Sequence, residues 1–148
     1  MRISEVIHRK GSHVVTIAPD ATVADLLKSL YDNRIGAVVV SNDQGQTVAG
    51  IVSERDVVIA IHERGMKVLE EPVSAIMTGD VQTCGLDDDL KTLAIQMTEH
   101  RVRHLPVIED DRLVAIVSIG DVVKHRLDEL EDETSQLFHY VQGDRSTV

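Results

Sequence analysis

The chain repeats itself. At an offset of 67 residues, Val14-Val15-Thr16-Ile17-Ala18-Pro19-Asp20-Ala21-Thr22-Val23 lies over Val81-Gln82-Thr83-Cys84-Gly85-Leu86-Asp87-Asp88-Asp89-Leu90. The same offset sets Val23, Leu26, Leu27 and Leu30 over Leu90, Leu93, Ala94 and Met97, both sets spaced as one face of an amphipathic helix. Thr22 and Asp89 stand where the N-caps of those helices belong. Beyond Arg34 and Arg101 each half enters an apolar run, 35–40 and 102–107. The offset then falls to 65, because the first half has a turn two residues longer. Past that turn Ile51-Val52-Ser53-Glu54-Arg55-Asp56-Val57-Val58 meets Ile116-Val117-Ser118-Ile119-Gly120-Asp121-Val122-Val123, with six of eight positions identical. Upstream, Ile3-Ser4-Glu5-Val6-Ile7 is similar to Val73-Ser74-Ala75-Ile76-Met77.

Each copy reads as a lead-in turn, a strand, a helix, a hairpin of two strands and a closing helix. Asn42-Asp43-Gln44-Gly45 and Glu109-Asp110-Asp111 supply the hairpin turns between β-branched runs. A unit of roughly 60 residues buries too little surface to stand alone, so the two must pack on each other. The fold expected is mixed α/β (α+β), two βαββα units packed pseudo-symmetrically into one module. The boundaries expected are 1–66 for the first unit with its lead-in, 67–127 for the second with its linker, and 128–148 for an acidic C-terminal helix and tail.

Composition narrows the function. Twenty-five acids against fifteen bases give a net charge of −10, and one Phe, two Tyr and no Trp leave almost no stacking surface. That combination excludes a nucleic-acid binder, which needs a basic footprint and, for single strands, aromatic platforms. With 22 valines, the core is aliphatic and rich in strand. No apolar run approaches the ~20 residues of a membrane span, and the first residues lack the apolar stretch of a signal peptide. One cysteine, Cys84, forbids an internal disulfide framework and fits a reducing compartment. The expectation is a soluble, cytoplasmic protein with no nucleic-acid or membrane partner.

Two βαββα units, each with Ile-Val-Ser-x-x-Asp before its closing helix, resemble a tandem pair of cystathionine-β-synthase (CBS) domains, the Bateman module. The resemblance runs from Ile3 to the helix after Asp121 and includes Ala18-Pro19-Asp20-Ala21-Thr22-Val23, Arg103-His104-Leu105-Pro106-Val107 and Gly50-Ile51-Val52-Ser53-Glu54-Arg55-Asp56. On its own, Ser-x-x-Asp is a capping box: the hydroxyl accepts a backbone N–H and the acid sits in the positive first turn. The same helix start also suits an anion, and a carboxylate there accepts hydrogen bonds from two vicinal hydroxyls. In CBS pairs the Asp holds a ribose, so the resemblance implies adenine-nucleotide binding.

Carried over by position, one site combines Ile51, Val52, Ser53, Arg55 and Asp56 with Thr83, Gly85, Val102, Arg103 and His104. Its counterpart combines Ile116, Val117, Ser118 and Asp121 with Thr16, Ala18, Ile35, Gly36 and Ala37. The two differ in charge. Arg55, Arg103 and His104 gather at the first, whereas the second has Gly120, Gly36 and Ala37 at the matching positions. The Asp56 site is therefore expected to bind a phosphorylated ligand more tightly. Ala115 in place of Gly50, Gly85-Leu86 in place of Ala18-Pro19, and Val39 in place of Pro106 depart from the family pattern and put occupancy of the Asp121 site in doubt.

Other constellations carry less. Seven histidines are scattered, and His100 and His104 fall on either side of a helix end, so no metal ligand set is expected. Cys84 reads as a buried, inert thiol. No P-loop, Gly-x-Ser-x-Gly or Gly-x-Gly-x-x-Gly occurs. Leu127, Leu130, Leu137 and Phe138 give the C-terminal helix an apolar stripe for a partner, and because CBS pairs commonly dimerise the resemblance implies a homodimer contact there. The leading expectation is a non-enzymatic regulatory module that binds AMP, ADP, ATP or NAD, with S-adenosylmethionine ranked below them. It would need no metal, would dimerise, and would signal a ligand-dependent change to an unidentified effector protein. The rival from another class is a ligand-free scaffold whose Ser53 and Ser118 act only as caps. An enzyme ranks last, because no nucleophile–base pair is visible.

Overall fold

Short polar side chains start every repeated helix. Thr22 Oγ1 accepts the Asp25 amide while Asp25 returns a bond to the Thr22 amide, opening α2 at Val23–Asn33; Asp89 accepts the Thr92 amide and opens α4 at Leu90–His100. Both helices stop at an arginine in the left-handed conformation, Arg34 at φ 53° and Arg101 at φ 54°. The computed structural model describes residues 1–145.

The first unit holds β1 (Thr16–Ile17), α2, β2 (Ala37–Val40), β3 (Gly50–Ser53) and α3 (Glu54–Arg64), preceded by α1 (Ile3–Lys10). Its strands form one sheet in the order β1-β2-β3, the first pair parallel and the second antiparallel. The second unit holds α4, β4 (His104–Glu109), β5 (Arg112–Ser118) and the long α5 (Ile119–Arg145). Its hairpin turns on Asp110 and Asp111, both at positive φ as a tight two-residue loop requires. The expected opening strand of this unit contracts to one residue: Cys84 alone bridges Val107 in parallel. The Asp88 carboxylate accepts the Gly85 amide at 2.8 Å and curls the chain away immediately afterwards. Residues 146–148 of the C-terminal tail lie outside the described residues.

The lead-ins change sides. Ile3 and Val6, both fully buried, pack with Leu90, Leu93, Met97, Leu105 and Val117 of the second unit. Val73, equally buried, packs with Val23, Leu26, Val38 and Val52 of the first, with Ile76 and Met77 against it. The backbone bonds repeat the exchange: the Ile3 amide donates to the Asp88 carbonyl, and the Val73 amide donates to the Ala21 carbonyl. Chain order groups 3–10 with the first unit; packing groups it with the second. Each core thus contains side chains from both halves, which couples two units that would each bury little surface alone.

Helix α5 has 27 residues, a length of about 40 Å. Val122 and His125 bury against the second core, while Leu127, Leu130, Leu137 and Phe138 are exposed. Among the described residues no helix is long and apolar enough to cross a membrane.

Candidate functional site

The exchange brings the start of α3 against the segment that leads into the second unit, and a cleft of about 270 Å³ opens between them. Ile51, Ser53, Glu54, Arg55 and Asp56 form one wall, Thr78, Asp80, Val81 and Gln82 a second, and Arg101, Val102, Arg103 and His104 a third, with Gly36 and Ala37 at the seam. The volume sits at the lower edge of the ~300–1,000 Å³ common for ligand clefts.

At the head of α3 the capping box is complete. The Ser53 amide donates to Asp56 Oδ2 at 2.8 Å, the Ser53 hydroxyl donates to the same oxygen at 3.1 Å, and the Asp56 amide donates to Ser53 Oγ at 3.3 Å. The Glu54 amide donates to the Gly36 carbonyl at 3.0 Å. Two of the three first-turn amides are thus committed, leaving the Arg55 N–H as the one these bonds do not use. All contacts to the Asp56 carboxylate fall on Oδ2, so Oδ1 is the edge available to a ligand hydroxyl. The head of α5 repeats this geometry: the Ser118 amide and hydroxyl reach Asp121 Oδ2 at 2.9 and 3.0 Å, and the Ile119 amide donates to the Arg103 carbonyl at 2.8 Å.

Of the ten residues expected at the Asp56 site, Ile51, Ser53, Arg55, Asp56, Val102, Arg103 and His104 line the cleft. Val52 is fully buried and belongs to the first core. Thr83 and Gly85 lie past the lining segment, beside the Cys84 bridge. Gly36 and Ala37, expected at the counterpart, face this cleft instead. Sequence reasoning missed Glu54, Thr78, Asp80, Val81, Gln82 and Arg101. Glu54 is an unspecified position inside the Ile-Val-Ser-x-x-Asp motif and Arg101 directly precedes the apolar run 102–107, while 78–82 lie in no helix or strand whose spacing would mark a lining face. The complete lining is charge-mixed: Arg55, Arg101 and Arg103 with His104 oppose Glu54, Asp56 and Asp80.

Around Asp121 the arrangement is different. Lys10, the last residue of α1, donates from Nζ to Asp121 Oδ2 at 2.5 Å and to the Ile116 carbonyl at 2.7 Å. Burial alone would raise the Asp121 carboxyl, but the Lys10 hydrogen bond and the Ser118 amide outweigh it and hold the group below the usual carboxylate range. The other residues expected here are dispersed. Val117 is core, Ile35 packs against the first core, Thr16 lies in β1 opposite Val39, and Ala18 is exposed beyond it. Ile116 keeps its place through its carbonyl.

His104 lies between the two helix heads. Burial, and then the positive charge of Lys10, hold its imidazole below the ordinary value, against the pull of Asp121 and Glu54. A Cβ on Gly36 would come within 3.3 Å of Glu54 Oε1 and 3.7 Å of His104 Cε1, so a side chain there would crowd the seam. Gly50 is tighter still, its missing Cβ 2.6 Å from Met77 Sδ and 2.8 Å from the Thr78 carbonyl. The Ile51 amide and carbonyl both pair with Thr78 at this point. Ala115, its counterpart, holds a buried methyl without that neighbour. The Cys84 thiol is pushed up to about 12 by burial and by the charge of Asp88, which fits an unreactive group. Among the described residues no three His, Cys, Asp or Glu side chains group as a metal site.

This pair of βαββα units with matched Ser-x-x-Asp helix heads is a CBS-domain pair. The chain belongs to that family: the CBS domain profile matches residues 3–63 and 73–128. It is 37% identical over 148 residues to a mitochondrial CBS domain-containing protein of Arabidopsis thaliana, covering 95% of this chain and 72% of the relative. It is similar to the crystal structure of a CBS-domain containing protein from Agrobacterium tumefaciens, with a TM-score of 0.82 and 41% identity over 85% of this chain and 99% of that one. A CBS domain protein from Pyrobaculum aerophilum, solved in complex with AMP, is similar with a TM-score of 0.76 and 28% identity over 90% and 99% of the two chains.

Proposed function

We propose that this chain is a non-enzymatic regulatory module that binds an adenine nucleotide in the Asp56 cleft. CBS-domain pairs are generally regulatory modules and not catalysts, and the AMP complex of the Pyrobaculum aerophilum relative supports the ligand class. The observation that carries the reading is the composition of the cleft. Asp56 presents a carboxylate edge to ribose hydroxyls, Ile51, Val81 and Val102 offer apolar surface to a purine, and Arg55, Arg101 and Arg103 offer guanidinium groups to phosphates.

S-adenosylmethionine brings a sulfonium cation to the end where the arginines stand, and ranks below the nucleotides. Because lining residues come from both units, a bound nucleotide bridges them. It changes their relative angle only to the extent that it binds one arrangement more tightly than another. The response passes to an effector protein. The exposed Leu127, Leu130, Leu137 and Phe138 on α5 supply the contact for a homodimer, and a cytoplasmic site of action fits the single reduced cysteine.

A thermal-shift panel with AMP, ADP, ATP, NAD and S-adenosylmethionine tests the reading. Mass action requires saturable stabilisation by any ligand specific to the folded state, about 2.7 kcal/mol at a hundredfold excess over Kd. Stabilisation by at least one nucleotide is expected. No shift with any of the five would favour the scaffold, whose Ser53 and Ser118 serve only as caps.

A further inference from the structure

The register that lays Ile3 over Val73 lays Lys10 over Asp80. These two positions meet opposite fates. Asp80 lines the open cleft beneath Asp56, whereas the Lys10 ammonium sits on Asp121 and on the Ile116 carbonyl. In the first unit the carbonyl equivalent to Ile116, that of Ile51, is taken by the Thr78 amide at 2.9 Å. Lys10 therefore fills at Ile116 the role Thr78 has at Ile51, and in addition engages the carboxylate that a nucleotide would need at the second helix head.

The contact is built in. Helix α1 is fixed by Ile3 and Val6, both fully buried in the second core, and Lys10 is its last residue, where the negative end of the helix favours a cation. The Lys10 and Asp121 side chains are 29% and 21% exposed, a half-buried pair at the edge of the second unit. A ribose arriving at Asp121 meets a carboxylate already neutralised by the ammonium, which joins the Ser118 amide and hydroxyl on Oδ2. At the head of α5 Gly120 stands where Arg55 does, so the helix start itself brings no guanidinium.

We propose that Lys10 closes the Asp121 helix head to nucleotide, so that each chain binds one nucleotide and not two. The proposal rests on the nucleotide reading of the Asp56 cleft, but the contact itself has a readout independent of any ligand.

Two measurements separate the two claims. Calorimetric titration of the full chain with ATP is expected to give one bound nucleotide for the wild type and two for Lys10→Ala, with the added site lost in Lys10→Ala/Asp121→Ala. Two nucleotides on the wild type, or only one on Lys10→Ala, overturns the closure. Amine acylation followed by mass spectrometry is then run without nucleotide. Lys10 is expected to react at least about tenfold more slowly than the exposed Lys67. That protection should vanish in Asp121→Ala. If the wild type binds no ATP while Lys10 stays protected, the nucleotide reading fails and the contact stands. Should Lys10 acylate as fast as Lys67, the contact fails whatever the first cleft binds.

Discussion

The two helix heads of this molecule share one geometry and face different surroundings. At Ser53–Asp56 and Ser118–Asp121 the same hydrogen bonds recur to within about 0.1 Å. The first opens onto a cleft containing three arginines, and the second is covered by Lys10. Repeating a capping box preserves a helix start; it does not preserve a binding site. What separates the heads is the neighbouring lead-in: irregular chain ending at Asp80 against the first, a helix ending at Lys10 against the second.

The largest effects should fall on the exchanged lead-ins. Ile3→Ala empties a fully buried position in the opposite unit's core and is expected to cost about 2–5 kcal/mol in denaturant unfolding. A cost below 1 kcal/mol would show that 3–10 is not part of that core. Next is the strand before each head. Gly50→Ala drives a methyl against Met77 and the Thr78 backbone, for an expected loss of about 1–3 kcal/mol. Ala115→Gly should cost nearer 0.5–1 kcal/mol. Equal costs would erase the difference between the two lead-in paths.

Ser53→Ala and Ser118→Ala each remove one cap and are expected to cost about 0.5–2 kcal/mol, alike within error, since the caps match. A large inequality would mean that one serine has a structural role beyond capping. The smallest effect is pH-dependent. Burial, followed by the charge of Lys10, depresses the His104 imidazole. Below its ordinary value near 6.5 the unfolded chain therefore binds the proton more readily than the folded one. Stability should fall as pH drops through that window and recover as pH rises, with a shallower slope in His104→Gln. Identical melting profiles for the two proteins between about pH 5.5 and 7.5, roughly one unit either side of the ordinary histidine value, would remove His104 from the seam.

Much of this was legible in the chain because it is periodic. The helix faces at Leu26 and Leu93, the caps at Thr22 and Asp89, and the hairpin turns all follow from local spacing, and the fold class came from their repetition. Seven residues of the Asp56 cleft were legible because they lie in repeated motifs. The rest depended on information that repetition does not carry. Residues 78–82 lie in no helix or strand whose spacing would mark a lining face, and the lead-in exchange reverses chain order. The Lys10–Asp121 contact joins residues 111 apart in sequence, and it arises only because α1 packs on the far unit. Local rules specify the units; the exchanged segments distinguish their clefts.

The central claim is that Asp56, and not Asp121, reads the ligand. Calorimetric titration of Asp56→Ala and Asp121→Ala with ATP beside the wild type tests it most directly. A carboxylate accepting ribose hydroxyls contributes about 1.5–3 kcal/mol, so Asp56→Ala should weaken binding by roughly 10- to 150-fold while Asp121→Ala leaves it within about twofold. A larger loss from Asp121→Ala than from Asp56→Ala would contradict the account.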